Sequence, residues 1–198
     1  MLVVVTVVGC GGLEDEEEAV LGETNLKAYL PLRQGMVFDF DGEGVAFPSL
    51  EREVMFVREP YFQVLDRMTG TNIVKVYKVS EDEIGLVFEE GEFYSEENLL
   101  DGMDKESEVE EIILKKPVEP GNSWETDNRK REITSVGKTV TVPAGTFYDV
   151  VEVKSAPLDE EGIVNYYYYA KNIGLVKRES FDDEGNRLTI LELGNYKK

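Results

Sequence analysis

Apolar and polar positions along this chain alternate in short runs, and the runs predict strands. The clearest lie in residues 139–153 (TVTVPAGTFYDVVEV) and 165–179 (NYYYYAKNIGLVKRE). In 139–142 threonine and valine alternate, the two-residue period of a strand with one wet and one dry face. Pro143-Ala144-Gly145 then interrupts the ladder, because proline lacks a donor and glycine accepts positive φ. The same reading predicts strands near 36–40, 51–57, 61–66, 72–79, 84–88, 109–114, 131–136, 139–142, 147–154, 163–170, 175–181 and 188–193. Connections such as 68–71, 81–83, 159–162 and 182–186 are of hairpin length, too short for crossover helices, so the strands pair antiparallel. One helix signal interrupts them: SEENLL, 95–100, with Ser95 as N-cap and two glutamates in the first turn. The expected body, 29–198, is therefore all-β and mainly antiparallel, a single strongly curved sheet or half-barrel with one short helix.

Within that body the four consecutive tyrosines 166–169 break the wet-and-dry rule. Alternation turns Tyr166 and Tyr168 to one face and Tyr167 and Tyr169 to the other, so both faces carry aromatic bulk. One pair meets the core. The other is either covered or lines a groove for an apolar or sugar ligand, which makes Tyr166 and Tyr168 the candidate ligand-binding residues.

Composition narrows the chemistry. The 198 residues carry 41 acidic and 21 basic side chains, a formal charge of −20. Nucleic acid and anionic lipid surfaces would be repelled by such a chain. It has no histidine, which removes Ser-His-Asp triads and imidazole metal sites or acid–base catalysis. A lone cysteine excludes an intrachain disulfide and a cysteine-cluster metal site. No cofactor or metal is expected. DFDGEG (39–44) spaces acids as a calcium loop does, but Leu50 stands where that loop needs a bidentate glutamate, so it reads as a turn after a strand. Acids are too abundant for any one pair to mark a hydrolase. Trp124 reads as a plug at the sheet margin.

The N-terminus supplies an address. Residues 2–8 (LVVVTVV) are apolar but too few to span a membrane. They lead into Gly9-Cys10-Gly11-Gly12 and the acidic 14–18. Val7-Val8-Gly9-Cys10 resembles the lipobox of bacterial lipoproteins, in which the cysteine is diacylated and becomes the new N-terminus. An initiation site further upstream would supply the basic residues and extra length that such signals carry. On this reading 1–10 is a signal segment, Cys10 is the lipidation site, and 11–28 is an acidic flexible tether.

A longer resemblance covers the chain from about residue 29 onward. Its pieces are Tyr29-Leu30-Pro31-Leu32 with Gly35, Phe38-Asp39-Phe40 with Gly42 and Gly44, and Glu51-Arg52-Glu53-Val54. Further pieces are Glu97-Asn98-Leu99-Leu100, Ile112-Ile113-Leu114-Lys115 with Pro117, Gly121 and Trp124, and Val142-Pro143-Ala144-Gly145-Thr146-Phe147. Tyr169-Ala170-Lys171 with 174–179 (GLVKRE) closes the set. Together they resemble a family of uncharacterised bacterial surface lipoproteins, chiefly of Gram-positive bacteria. The resemblance implies an extracytoplasmic β body on a lipid tether and brings no catalytic residues.

The expected function is that of a lipid-anchored extracytoplasmic protein that binds a small molecule or a protein partner without catalysis. A curved sheet with aromatics on both faces also resembles the lipoprotein-carrier type of fold, which would suggest an apolar ligand. The rivals are a carboxylate-dependent hydrolase of cell-wall or polysaccharide substrates, which needs an acid pair in a cleft, and a structural or adhesive module with no pocket.

Overall fold

A computed structural model describes residues 25–30, 32–44, 49–104, 107–126, 128–159 and 161–197. Cys10 and tether residues 11–24 lie outside the described residues. A 3-10 turn, Leu26–Tyr29, precedes twelve strands. They are β1 (Val37–Gly44), β2 (Leu50–Arg58), β3 (Tyr61–Met68), β4 (Thr71–Val79), β5 (Glu83–Gly91) and β6 (Glu111–Lys115). After these come β7 (Ser123–Thr126), β8 (Arg129–Val142), β9 (Gly145–Pro157), β10 (Val164–Ala170), β11 (Gly174–Phe181) and β12 (Arg187–Lys197).

All twelve form one antiparallel sheet in the order β6-β5-β4-β3-β2-β1-β12-β11-β10-β9-β8-β7. Hairpins run outward from a central β1–β12 pair, in which Phe38 lies opposite Tyr196 and Asp41 opposite Glu192. The edges β6 and β7 are neighbours in sequence, so the curl of the sheet brings them face to face into a nearly closed barrel. Among the described residues no backbone ladder joins these edges; side chains seal them. Trp124 Nε1 donates to the Ile112 carbonyl at 3.0 Å, and Thr126 Oγ1 accepts from Ile112 N at 3.2 Å. Asn122 Nδ2 reaches the Lys115 carbonyl at 3.0 Å. Arg131, 2% exposed, donates from β8 to the Ile113 carbonyl at 3.3 Å and pairs with Glu111.

The interior is aliphatic and aromatic: Phe38, Phe40, Val54, Phe62, Val64, Ile84, Leu86, Leu114, Ile133, Val153, Val176, Leu191 and Leu193 share one cluster. The 3-10 turn stops one end with Leu26 and Tyr29, and Asn172 N ties it to β11 by donating to the Ala28 carbonyl at 2.6 Å. The long β8–β9 hairpin carries register shifts at 133/135, 135/138 and 138/140. These bend it so that Ala144 N bonds the Leu193 carbonyl at 2.9 Å, and Val140 and Val142 enter the core.

Four local expectations differ from what is observed. The strands predicted at 131–136 and 139–142 are one bulged strand, Gly137 with φ +78° absorbing the irregularity. DFDGEG is not a turn: it lies inside β1, where extension holds its acids apart along the ladder. The strand β7 was not expected. The helix at 95–100 is a 3-10 turn, Leu99–Gly102, capped by Asn98 rather than Ser95. Its cause is Gln63, fully buried on β3, whose amide donates to the Glu97 carbonyl at 2.8 Å and accepts from Leu99 N at 2.9 Å. Those backbone groups are taken from any α-helix, and the segment instead lays Phe93 and Leu100 over the outer face of β3 to β5.

Candidate functional site

Register places the tyrosine run. On β10, Tyr167 and Tyr169 lie opposite Val153 and Val151 of β9 and face the core. Their rings stack at 6.4 Å, and the Arg131 guanidinium sits 5.0 Å from the Tyr167 ring centre. Burial pushes the Tyr169 phenol well above its ordinary pKa.

Tyr166 and Tyr168 face outward, as alternation requires. No helix or loop covers them among the described residues. They line an open groove of about 510 Å³ with Glu152 and Lys154 of β9, Val164, Phe181 of β11, and Asp182, Asp183 and Gly185 of the β11–β12 turn. The sequence singled out the two tyrosines; apart from Val164 on the same strand, the rest come from other strands and a turn, which only the register brings alongside.

At one end of the groove Tyr166 and Phe181 meet edge to face, 5.7 Å between centres and 88° between planes. The turn beside them is rigid. Asp182 accepts from the Asn186 side-chain amide at 3.1 Å, from Asn186 N at 2.8 Å and from Glu184 N at 3.0 Å, and these bonds, the Asn186 side chain's foremost, hold its carboxyl below the usual range. Gly185 supplies the positive φ of +82° that the turn needs. Asp183 Oδ1 accepts from Gly162 N at 2.6 Å, fastening this turn to the neighbouring β9–β10 turn.

At the other end an acid pair surrounds Tyr168. Its hydroxyl donates to Glu179 Oε2 at 3.0 Å, and Glu152 lies beside it. Burial, then the two carboxylates, push the phenol well above its ordinary pKa. Glu152, 7% exposed, accepts from Thr134 Oγ1 at 2.7 Å and from Lys138 Nζ at 2.5 Å. Burial alone would raise the Glu152 pKa, but bonds from Lys138, Thr134 and Tyr168 outweigh it and lower the value. Glu179 is held by Lys177 at 3.3 Å and Arg187 at 3.3 Å. Sequence reasoning missed this pair because nothing local distinguishes two glutamates among so many.

A groove of about 600 Å³ beside the 3-10 turn is walled by Asn25, Lys27, Ser80, Glu81 and Lys116, with Leu26 and Val79 as its large apolar residues. Among the described residues no cluster of three or more Asp, Glu, Cys or His is placed to hold a metal ion.

A single antiparallel sheet curled almost into a barrel, with an aromatic groove on its outer face, defines the class of protein. Residues 94–193 match the family model described as DUF3108-like, a span that includes every groove residue, and the chain belongs to that family. Among solved structures, a Bacteroides fragilis protein described as a "putative exported protein with YmcC-like fold" superposes with a TM-score of 0.51 at 16% identity, covering 84% of this chain and 97% of its own. A Parabacteroides distasonis protein described as a "putative lipoprotein" gives 0.48 at 14% identity, covering 83% and 96%. The first likeness is one of fold. No curated protein matches the chain.

Proposed function

We propose that this chain is an exported protein, held at a membrane surface by lipid on Cys10, whose β body binds a ligand in the outer groove without catalysing a reaction. The observation that carries the reading is the groove itself: an exposed aromatic corner, Tyr166 against Phe181, on a rigid sheet with polar groups at its rim. Export is supported by the order of segments at the N-terminus, an apolar run meeting Gly9-Cys10 and then an acidic stretch, and by the name of the Bacteroides fragilis neighbour. The family resemblance read from the sequence points to the same surface setting.

The hydrolase rival draws on one specific observation, the acid pair at Tyr168. A glycosidase of that kind requires one carboxylic acid kept protonated at working pH. Neither carboxyl is set up for that: Glu152, its pKa lowered, is tied to Lys138 and Thr134, and Glu179 is paired with Lys177 and Arg187 and accepts from the Tyr168 hydroxyl. That pairing favours binding over hydrolysis.

Native mass spectrometry of the protein purified from its own host tests both parts. Diacylglycerol on Cys10, lost in Cys10→Ser together with membrane association, is the expected result for the anchor. A co-purifying molecule released by Tyr166→Ala is the expected result for the groove. An unmodified Cys10 would remove the anchor. A ligand retained in full by Tyr166→Ala would move the site elsewhere.

A further inference from the structure

The tyrosines of β10 differ in what their rings already hold. Tyr167 carries the Arg131 guanidinium at 5.0 Å. The Tyr168 ring has two ammonium groups near it, Lys138 Nζ at 5.8 Å and Lys177 Nζ at 5.6 Å. Positive groups sit over aromatic faces because the ring quadrupole is negative there. Among the described residues no cation sits over the Tyr166 ring, which opens with Phe181 into the groove. An edge-to-face pair makes a corner, one ring offering its face and the other its rim.

Negative charge predominates around this corner. Asp182 and Asp183 stand beside Phe181, Glu152 lies further along, and Lys154 is the one basic residue in the lining. Asp183 spends Oδ1 on Gly162 N, and among the described residues no group donates to Oδ2. Lys154 sits across the ladder from Tyr166 and also lines the adjoining groove of about 290 Å³ with Lys130, Glu132, Ala156, Pro157 and Leu158. Asp182 and Asp183 therefore stand on the Phe181 side of the corner and Lys154 on the β9 side, with Glu152 beside Tyr168. On a chain of formal charge −20, the long-range field reinforces the same preference.

Resting on the reading of this groove as the ligand site, we infer that the group it recognises is an organic ammonium, seated in the Tyr166–Phe181 corner with Asp183 as counter-ion. The rest of the ligand runs toward Lys154, where an acceptor or an anionic group is matched. A neutral hydrocarbon would leave the acids unused. An anion would meet Asp182 and Asp183.

Three probes with the same short carbon chain and different charge test the inference: n-butylammonium, 1-butanol and butyrate, titrated into 15N-labelled protein. Butylammonium is expected to shift the amides of Tyr166, Phe181 and Asp183 in a saturable way, with the other two weaker. Tyr166→Leu should weaken it roughly tenfold. Asp183→Asn, which keeps the oxygen that accepts from Gly162 N, should weaken it severalfold, and added salt should weaken it further. Unchanged dispersion of the remaining amides confirms that each variant is folded. If 1-butanol or butyrate moves the same residues with equal or greater affinity, the inference falls while the groove remains a ligand site. If no probe moves any groove residue, both fall.

Discussion

The hydroxyl of Tyr168 donates to Glu179 Oε2 at 3.0 Å across the β10–β11 ladder. That bond joins the outer faces of two strands whose inner faces are held by apolar packing. Glu179 keeps Lys177 and Arg187 when the phenol is removed. Tyr168→Phe should therefore lower stability by only about 1 kcal/mol, the usual net worth of such a bond. The change in urea midpoint at constant slope measures it. A loss several times larger would mean that the acid pair depends on the phenol to keep its arrangement.

Glu152 gives the same cluster a pH dependence. Its folded pKa is lowered, so its contribution to stability is present above the unfolded value of about 4.3 and is lost as pH falls through the folded value. Glu152→Gln lacks that ionisation. The stability gap between wild type and variant should be widest near neutral pH and narrow steadily below about pH 4. Urea titrations at descending pH check this, and a gap that is constant with pH would show that the Glu152 pKa does not differ between the folded and unfolded chain.

Much of the sheet could be read in the sequence, and the gaps have physical causes. Hairpin-length links and alternation revealed eleven of the twelve strands because each leaves a period of two in side-chain polarity. β7 escaped because it is four residues long, with only Trp124 and Thr126 to mark its buried face. The helix expected at Ser95 fails through Gln63, more than thirty positions away, a competition that no local pattern contains. For the groove, Tyr166 and Tyr168 follow from alternation alone. Phe181, Asp183 and Lys154 need the register of three strands, and a one-residue slip would turn each to the other face.

Arg52 and Asp66 show what happens when that register places opposite charges inside. Arg52 Nε and Nη2 bind the two carboxylate oxygens of Asp66 at 2.6 and 2.7 Å, on the inner faces of β2 and β3. Burial would raise the Asp66 pKa, but the Arg52 charge and its hydrogen bonds outweigh it and lower the value. Asp66→Leu alone strands a buried guanidinium and should cost about 3–5 kcal/mol. Arg52→Met with Asp66→Leu removes both charges and should recover most of that loss. A double-mutant cycle by urea unfolding measures the coupling. Additive effects would mean that water or another group already satisfies each charge.

The seam between β6 and β7 makes the sharpest structural demand. Edges that face each other without a ladder are open to water and to pairing with another chain. Arg131 prevents both by spanning from β8 to the Ile113 carbonyl and Glu111, with Tyr167 beneath it. Arg131→Met keeps the apolar bulk and removes the span. Amide exchange should then speed up in β6 (Glu111–Lys115) and β7 (Ser123–Thr126) while the central β1–β12 pair stays protected. Arg131→Lys should give an intermediate result, because a single ammonium cannot reproduce the fork that holds a carbonyl and a carboxylate together. The Met variant should also self-associate as concentration rises, seen by sedimentation, since its freed edges present unpaired backbone groups. Exchange that rises equally in every strand would instead assign Arg131 to global stability, and the seam would then be closed by Asn122, Trp124 and Thr126.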